Sequence, residues 1–157
     1  MTIVRQPTRA GVRDAAAKIA QVLPPTPLFV QQINGLPIAF KSESLQPVGA
    51  FKVRGAWHRL TALDEEAKRR GVVAFSSGNH AQGIAWAGKR LGIATTIVMP
   101  ADAPRVKRDA TLALGAEVVT YDRATQSREA IAGQLAEARG ATLVPSFGEP
   151  QLSLIHI

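Results

Sequence analysis

The chain has 157 residues, of which 46% are hydrophobic and 20% are charged, so it is long enough to bury one core but short for a two-domain enzyme. It contains no cysteine, which excludes disulfides and thiolate zinc sites. No apolar run approaches the roughly 20 residues needed to cross a bilayer, and the first residues lack a signal-peptide core. We therefore expect a cytoplasmic protein with no membrane partner.

The formal net charge of +7 raises the possibility of a nucleic-acid partner. The basic residues are, however, scattered along the predicted helices, and the few aromatic residues (two Trp, one Tyr and five Phe) provide no platform for base stacking. Solvated helix surfaces explain this charge better than a nucleic-acid site, so we expect no nucleic-acid partner.

The first 70 or so residues alternate between helical and extended patterns. Thr8 is a suitable N-cap for the first helix, and Asn34-Gly35 is typical of a turn between two strands. The predicted elements are a helix over 9–23, strands over 28–31 and 38–41, and helices over 52–63 and 65–70.

From residue 72 onward, short β-rich runs alternate regularly with helical segments. Pro104 suits a first helical turn, and Gly92, Gly115 and Gly140 stand where helix C-caps are expected. The predicted strands cover 72–75, 95–99, 118–121 and 142–144, and the predicted helices cover 79–91, 104–114 and 125–139. This alternation predicts an α/β unit with a mostly parallel sheet and right-handed crossovers.

Lys52 stands between Phe51 and Val53, just before a predicted helix. A solvated lysine is a poor nucleophile at neutral pH because its reference pKa is about 10.4. Burial between apolar neighbours would favour the neutral amine that Schiff-base chemistry requires. The alternative is an ordinary exposed lysine, which is the commoner situation for this residue type.

A second candidate is the polar run from Ser76 to His80, between a predicted strand and a predicted helix. Its backbone N–H groups and hydroxyls are expected to face an anion near the helix N-terminus, and a substrate carboxylate suits such a site. The alternative is that Ser77 or Asn79 simply caps the helix, a role that is compatible with substrate binding.

These motifs, in their order and spacing, resemble the threonine/serine dehydratases and their close relatives the serine racemases, which are fold-type II pyridoxal phosphate enzymes. The likeness continues to about Pro150, and the segments that carry it include Thr26-Pro27-Leu28, 41–47, 49–56, 76–83, 98–100, Ala103-Pro104, Lys107 and 114–119. The resemblance implies a tryptophan synthase β-like α/β fold, pyridoxal 5'-phosphate as cofactor, a small amino acid as substrate and a homo-oligomer in the full-length form. It also implies that residues 1–71 begin a large cofactor domain, that 72–147 form a small α/β domain, and that 148–157 are a divergent or truncated tail.

The resemblance further implies a role for each candidate residue. Lys52 would form the Schiff base with the cofactor and take the Cα proton when threonine or serine is converted to a 2-oxo acid and ammonia. Phe51 would flank the cofactor ring and Asn79 would contact its hydroxyl, while the substrate would be bound by Ser76, Ser77, Asn79 and His80. In the racemase relatives the serine that matches Ser77 delivers a proton from the face opposite the lysine, so racemisation of serine or another hydroxy amino acid is the alternative activity.

Two departures from the family pattern stand out. Ala50 occupies a position where many members carry serine, and residues 151–157 replace the expected Gly-Gln-Gly-Thr stretch. We therefore interpret the chain as an N-terminal fragment without the glycine-rich phosphate loop, and a catalytically incompetent fragment is a further alternative.

The remaining charged and metal-binding side chains near these motifs are interpreted as structural. Arg54 is expected to be a surface charge or an ion-pair partner, and Lys41 and Glu43 to form a salt bridge at a strand edge. His58 and His156 have no companions at metal-ligand spacing, so no metal site is expected.

Overall fold

The computed structural model describes residues 8–146, so the predicted tail at 148–157 and His156 lie outside the described residues. The helices are α1 (Arg9–Ala20), α2 (Lys52–Thr61), α3 (Glu65–Arg70), α4 (Asn79–Leu91), α5 (Arg105–Ala113) and α6 (Arg128–Arg139). The strands are β1 (Leu28–Ile33), β2 (Leu36–Lys41), β3 (Val72–Phe75), β4 (Thr95–Pro100), β5 (Glu117–Tyr121) and β6 (Thr142–Leu143). Short 3-10 turns at Glu43–Leu45 and Pro47–Gly49 connect β2 to α2.

The four later strands form a parallel sheet in the order β5-β4-β3-β6, which confirms the predicted parallel α/β unit. Alternate residues of β3 face opposite layers, as the period of a strand requires. Val72 and Ala74 join one hydrophobic cluster with α1, α2 and α4, whereas Val73 and Phe75 join another with α6. The sheet is therefore covered by helices on both faces, in three layers.

The N-terminal helices share a core with the sheet. Ile19 of α1 and Leu60 of α2 are buried in the same cluster as Ile84 of α4 and Ile97 of β4. The two regions thus pack together around one apolar core, and the domain boundary placed between residues 71 and 72 stays a prediction.

Strands β1 and β2 form an antiparallel hairpin with Leu28 opposite Lys41. Its two-residue turn has positive φ at both Asn34 (52°) and Gly35 (79°), the conformation that such hairpins favour. Both strands were predicted, but each is two residues longer than expected because pairing continues up to the turn. All twelve strand positions are exposed on the described part of the chain.

Most differences from the predicted helices lie at their ends. Helix α1 stops at Ala20 rather than at residue 23, before two prolines that disfavour helical conformation in the preceding residue. Helix α5 begins after Pro104, which is extended, and α6 begins three residues late because the Ser127 side chain caps it. Gly92 and Gly140 adopt the left-handed conformation at helix C-caps, as predicted.

Within residues 8–146, no helix is long and apolar enough to cross a membrane.

Candidate active site

The candidate residues meet at the carboxyl edge of the parallel sheet. Strand β3 ends at Phe75, and residues 76–78 lead from it into α4. Strand β6 pairs in parallel with β3, so the segment after it, Val144 to Ser146, leaves the sheet at the same edge. In open α/β sheets, ligands bind outside the carboxyl ends of the strands where the chain changes direction, and β3 is such a strand because its neighbours are β4 and β6.

Lys52 is the first residue of α2, and its backbone rests directly on α4. A Cβ atom built on Gly83 would lie 3.1 Å from the Lys52 carbonyl oxygen and 3.2 Å from its carbonyl carbon. Glycine at 83 therefore permits this close approach. Lys52 itself is only half-buried, unlike the fully buried Val53, so the expected burial between apolar neighbours is realised in part.

The Lys52 amine reaches across the carboxyl edge of the sheet. Its Nζ donates a hydrogen bond of 3.3 Å to the backbone carbonyl of Ser146, which is 94 residues away in the chain. The same Nζ lies 5.3 Å from the centroid of the Phe51 ring, within the range of a cation–π contact. Among the described residues, the amine is thus held by one long hydrogen bond and one aromatic ring.

His80 is buried, with only 3% of its surface exposed, and it binds the same segment as Lys52. Its Nε2 lies 3.2 Å from the carbonyl oxygen of Val144, so Nε2 carries the proton, while the buried Nδ1 has no hydrogen-bond partner among the described residues. Burial lowers the pKa of His80 to about 4, and the nearby charge of Lys52 acts in the same direction, against the opposing effect of the Val144 hydrogen bond. His80 is therefore neutral at pH 7 and ties α4 to the segment after β6. Its predicted role in substrate binding stays a prediction.

The loop before α4 leaves the helix N-terminus open. The N-cap residue is Gly78, and no side chain caps the helix, so the capping alternative for Ser77 and Asn79 is wrong. The Ser76 hydroxyl instead accepts a hydrogen bond of 3.2 Å from the Gly78 N–H. Ser77 is half-buried, and within residues 8–146 its hydroxyl has no hydrogen-bond partner. The first N–H groups of α4 and the Ser77 hydroxyl are thus available to an anion.

Asn79, the first residue of α4, contacts Lys107, which is part of the family resemblance but had no predicted role. Lys107 of α5 donates from Nζ to Oδ1 of Asn79 at 3.2 Å and to Oε1 of Gln82 at 3.4 Å. The contact itself was not predicted, because no local pattern shows how α5 packs against α4.

A polar network supports the turn that leads to Lys52. Arg54 is buried, and its Nε donates to Oε2 of Glu43 at 3.1 Å, so it is an ion-pair partner rather than a surface charge. Burial opposes the charge of Glu43, but hydrogen bonds from Arg54 and Thr26 outweigh this and lower the pKa of the carboxyl. Lys41 also pairs with Glu43 at 3.4 Å, as predicted.

The buried side chain of Gln46 adds two hydrogen bonds to this network. Its Nε2 donates to the carbonyl of Pro24 at 3.1 Å and to the hydroxyl of Thr26 at 2.9 Å. The network therefore fastens the connection between β2 and α2 to the segment that follows α1.

No group of three or more His, Cys, Asp or Glu side chains that could hold a metal ion occurs between residues 8 and 146.

Residues 19–156 match the family model of the pyridoxal-phosphate dependent enzymes, and the chain belongs to this family. The geometry agrees with this assignment, since a lysine amine and an open helix N-terminus meet at one edge of a parallel sheet. The family and the fold implied by the motifs, including the pyridoxal phosphate cofactor, are thereby confirmed.

Curated relatives include both lyases and racemases. The chain is 43% identical over 150 residues to L-threo-3-hydroxyaspartate ammonia-lyase of Saccharomyces cerevisiae, which covers 93% of the chain and 46% of that protein. It is 41% identical to serine racemase of Schizosaccharomyces pombe, again over 93% of the chain and 46% of the relative. Against L-threonine ammonia-lyase of Geobacter sulfurreducens it is 46% identical over 74% of the chain and 29% of that enzyme.

Among solved structures, that of maize serine racemase superposes with a TM-score of 0.90 at 34% identity, covering 96% of this chain and 47% of that one. The chain thus spans about half the length of the first two relatives and of this structure.

Proposed function

We propose that the complete protein is a pyridoxal phosphate-dependent ammonia-lyase that converts threonine or serine to a 2-oxo acid and ammonia. The observation that carries this proposal is the position of the Lys52 amine, at the carboxyl edge of the sheet beside the open N-terminus of α4. A nucleophilic amine and an anion-binding helix end are the two groups that an amino acid bound to this cofactor requires.

The donors of the site suit the cofactor. Lys52 supplies the amine that holds pyridoxal phosphate covalently, and the Phe51 ring supplies an apolar flank within 5.3 Å of that amine. Asn79 presents an NH₂ group without a partner among the described residues, which suits an oxygen of the cofactor ring. When bound, the cofactor supplies an electron sink for the charge that develops at Cα of the substrate.

The residues of the chain then have separable tasks. The substrate carboxylate is held by the first N–H groups of α4 together with the hydroxyls of Ser76 and Ser77, where the helix dipole favours negative charge. His80 is neutral and already donates to Val144, so its contribution is to hold the backbone around the site. The Nζ of Lys52, which the amino group of the substrate displaces from the cofactor, takes the proton from Cα as general base. The Cα proton and the β-hydroxyl are lost together as one molecule of water, and hydrolysis of the carbon–nitrogen bond by a second water gives the 2-oxo acid and ammonia.

The substrate class is supported by the relatives. Threonine, serine and 3-hydroxyaspartate, which appear in the names of the relatives, all carry a hydroxyl on the β-carbon. We infer that the protein acts on 3-hydroxy amino acids as a class.

The proposal is tested by measuring 2-oxo acid release from L-threonine, L-serine and L-threo-3-hydroxyaspartate by the complete gene product that contains this chain. Lys52→Ala should abolish release, whereas Lys68→Ala, which removes a half-buried lysine of α3 paired with Glu65, should leave it unchanged. Release that survives Lys52→Ala would contradict the proposal.

Racemisation is a second candidate because the Ser77 hydroxyl has no hydrogen-bond partner among the described residues and serine racemases are among the relatives. A hydroxyl that is not engaged by the protein is free to exchange a proton with the substrate. Chiral chromatography of serine after incubation with the complete protein tests this. Formation of D-serine that disappears in Ser77→Ala would support the racemase, and serine that stays entirely L would rule it out.

We further propose that the complete protein is a cytoplasmic homo-oligomer with no nucleic-acid partner. Sedimentation in the presence and absence of duplex DNA would test the oligomeric state and the binding of nucleic acid.

A further inference from the structure

Lys107 of α5 directs its ammonium group at two amide oxygens of α4. The distances are 3.2 Å to Oδ1 of Asn79 and 3.4 Å to Oε1 of Gln82. No carboxylate of residues 8–146 lies within ion-pair distance of this amine. Lys107 links α5 to α4, and this contact also fixes the orientation of the Asn79 side chain.

An ammonium group has donors and no acceptor. The Asn79 amide must therefore turn its oxygen toward Lys107, and its NH₂ group must point the opposite way, because both are fixed to one planar group. Gln82 lies one helical turn after Asn79, on the same face of α4, and is only 6% exposed. The buried Gln82 oxygen thus anchors Lys107, and Lys107 in turn sets the orientation of the exposed Asn79 side chain.

We propose that Lys107 is a positioning residue that holds the Asn79 amide with its NH₂ group directed at an oxygen of the pyridoxal phosphate ring. This inference rests on the proposed function, in which Asn79 contacts the cofactor. A positive charge on the oxygen of an amide also polarises that amide, so its NH₂ group becomes a stronger donor. Lys107 therefore favours the ionised form of the ring oxygen without touching it.

Lys89 provides a matched control for the link that Lys107 makes between α5 and α4. Lys89, in the last turn of α4, donates from Nζ to the carbonyl of Ala113 at the end of α5, at 3.4 Å. Lys107→Met and Lys89→Met each remove one lysine link between the same two helices and keep an apolar stem. Only the first variant frees Asn79, and Lys107→Arg keeps a donor at the same place.

The experiment uses the complete gene product and two measurements on the bound cofactor: its dissociation constant and the pH midpoint of its visible absorption band. Lys107→Met should raise the dissociation constant about tenfold, as expected for loss of a hydrogen bond strengthened by charge. It should also move the midpoint upward, because the ionised ring oxygen loses a donor. Lys107→Arg and Lys89→Met should stay close to the parent protein.

A double-mutant cycle then separates action through Asn79 from an independent effect. If Lys107 acts through Asn79, Lys107→Met adds nothing to Asn79→Ala. Additive effects, an unchanged midpoint in Lys107→Met, or an equal shift in Lys89→Met would each overturn the proposal. The readouts do not depend on turnover, so failure to release a 2-oxo acid would refute the lyase and leave this coupling measurable. A parent protein that binds no pyridoxal phosphate would refute both.

Discussion

Replacing Gly83 by alanine should disturb Lys52 through its backbone. The added Cβ would lie 3.1 Å from the Lys52 carbonyl oxygen and 3.2 Å from its carbonyl carbon, a few tenths of an ångström inside ordinary contact. Both neighbours are backbone atoms of a packed helix, so α2 must move away from α4 rather than a side chain rotating aside.

The size of the effect follows from two opposing contributions. Alanine in a helix interior is favoured over glycine by about 1 kcal/mol, whereas overpacking of this kind costs about 1–3 kcal/mol. Gly83→Ala should therefore lower the free energy of unfolding by about 0–2 kcal/mol. Gly133 of α6 is the matched control, because a Cβ there meets nothing within 4 Å. Gly133→Ala should raise the free energy of unfolding by about 1 kcal/mol.

The assay combines denaturant unfolding of the complete protein with borohydride trapping of pyridoxal phosphate, followed by peptide mass mapping to quantify the adduct on Lys52. Gly83→Ala should be less stable than Gly133→Ala by about 1–3 kcal/mol, and this difference measures the cost of overpacking at Gly83. It should also trap less cofactor on Lys52. Equal stabilisation and equal trapping in the two variants would refute the reasoning.

Two further predictions concern buried ionisable groups around the site. The pKa of His80 is about 4 in the folded protein, below its ordinary value of 6.5, so the unfolded chain binds the proton first and the stabilising contribution present above pH 6.5 is lost as pH falls toward 4. The loss should reach about 3 kcal/mol in the parent protein. His80→Gln keeps a donor but does not titrate, so denaturation at pH 7, 6 and 5 should show a shallower slope, and identical slopes would contradict the assignment. Glu43→Gln should destabilise the protein by about 3 kcal/mol because it leaves the buried Arg54 guanidinium without its carboxylate. Glu65→Gln, at the exposed partner of Lys68, should lower the free energy of unfolding by at most about 1 kcal/mol. Equal losses in the two variants would show that burial of the Arg54–Glu43 pair is unimportant.

The parts of the fold that depend on local pattern were predictable from the sequence. The alternation of β-rich runs and helical segments predicted the parallel sheet, and left-handed glycines marked helix ends at Gly92 and Gly140. Lys52 and the run beginning at Ser76 were recognised as candidates, and the structure brings both to one edge of the sheet.

The contacts that complete the site were not predictable in this way, because they depend on strand order. Strand β6 does not continue outward from β5 but returns to pair with β3, which brings Val144 and Ser146 to His80 and Lys52. No local pattern encodes such a return. The contact of Lys107 with Asn79 was missed for a related reason, since it requires the packing of α5 against α4.

The segment after β6 provides main-chain oxygens, not side chains, to both Lys52 and His80. A carbonyl is present at every position of a polypeptide, so these two hydrogen bonds do not depend on the side chains at 144 and 146, although the buried Val144 is also constrained by its packing in the core. Changes that move the backbone, such as an insertion or a deletion between β6 and Ser146, would instead displace both acceptors together. The hydrogen bonds of this segment to Lys52 and His80 therefore constrain the length and path of the chain after β6 rather than the side chains that it carries.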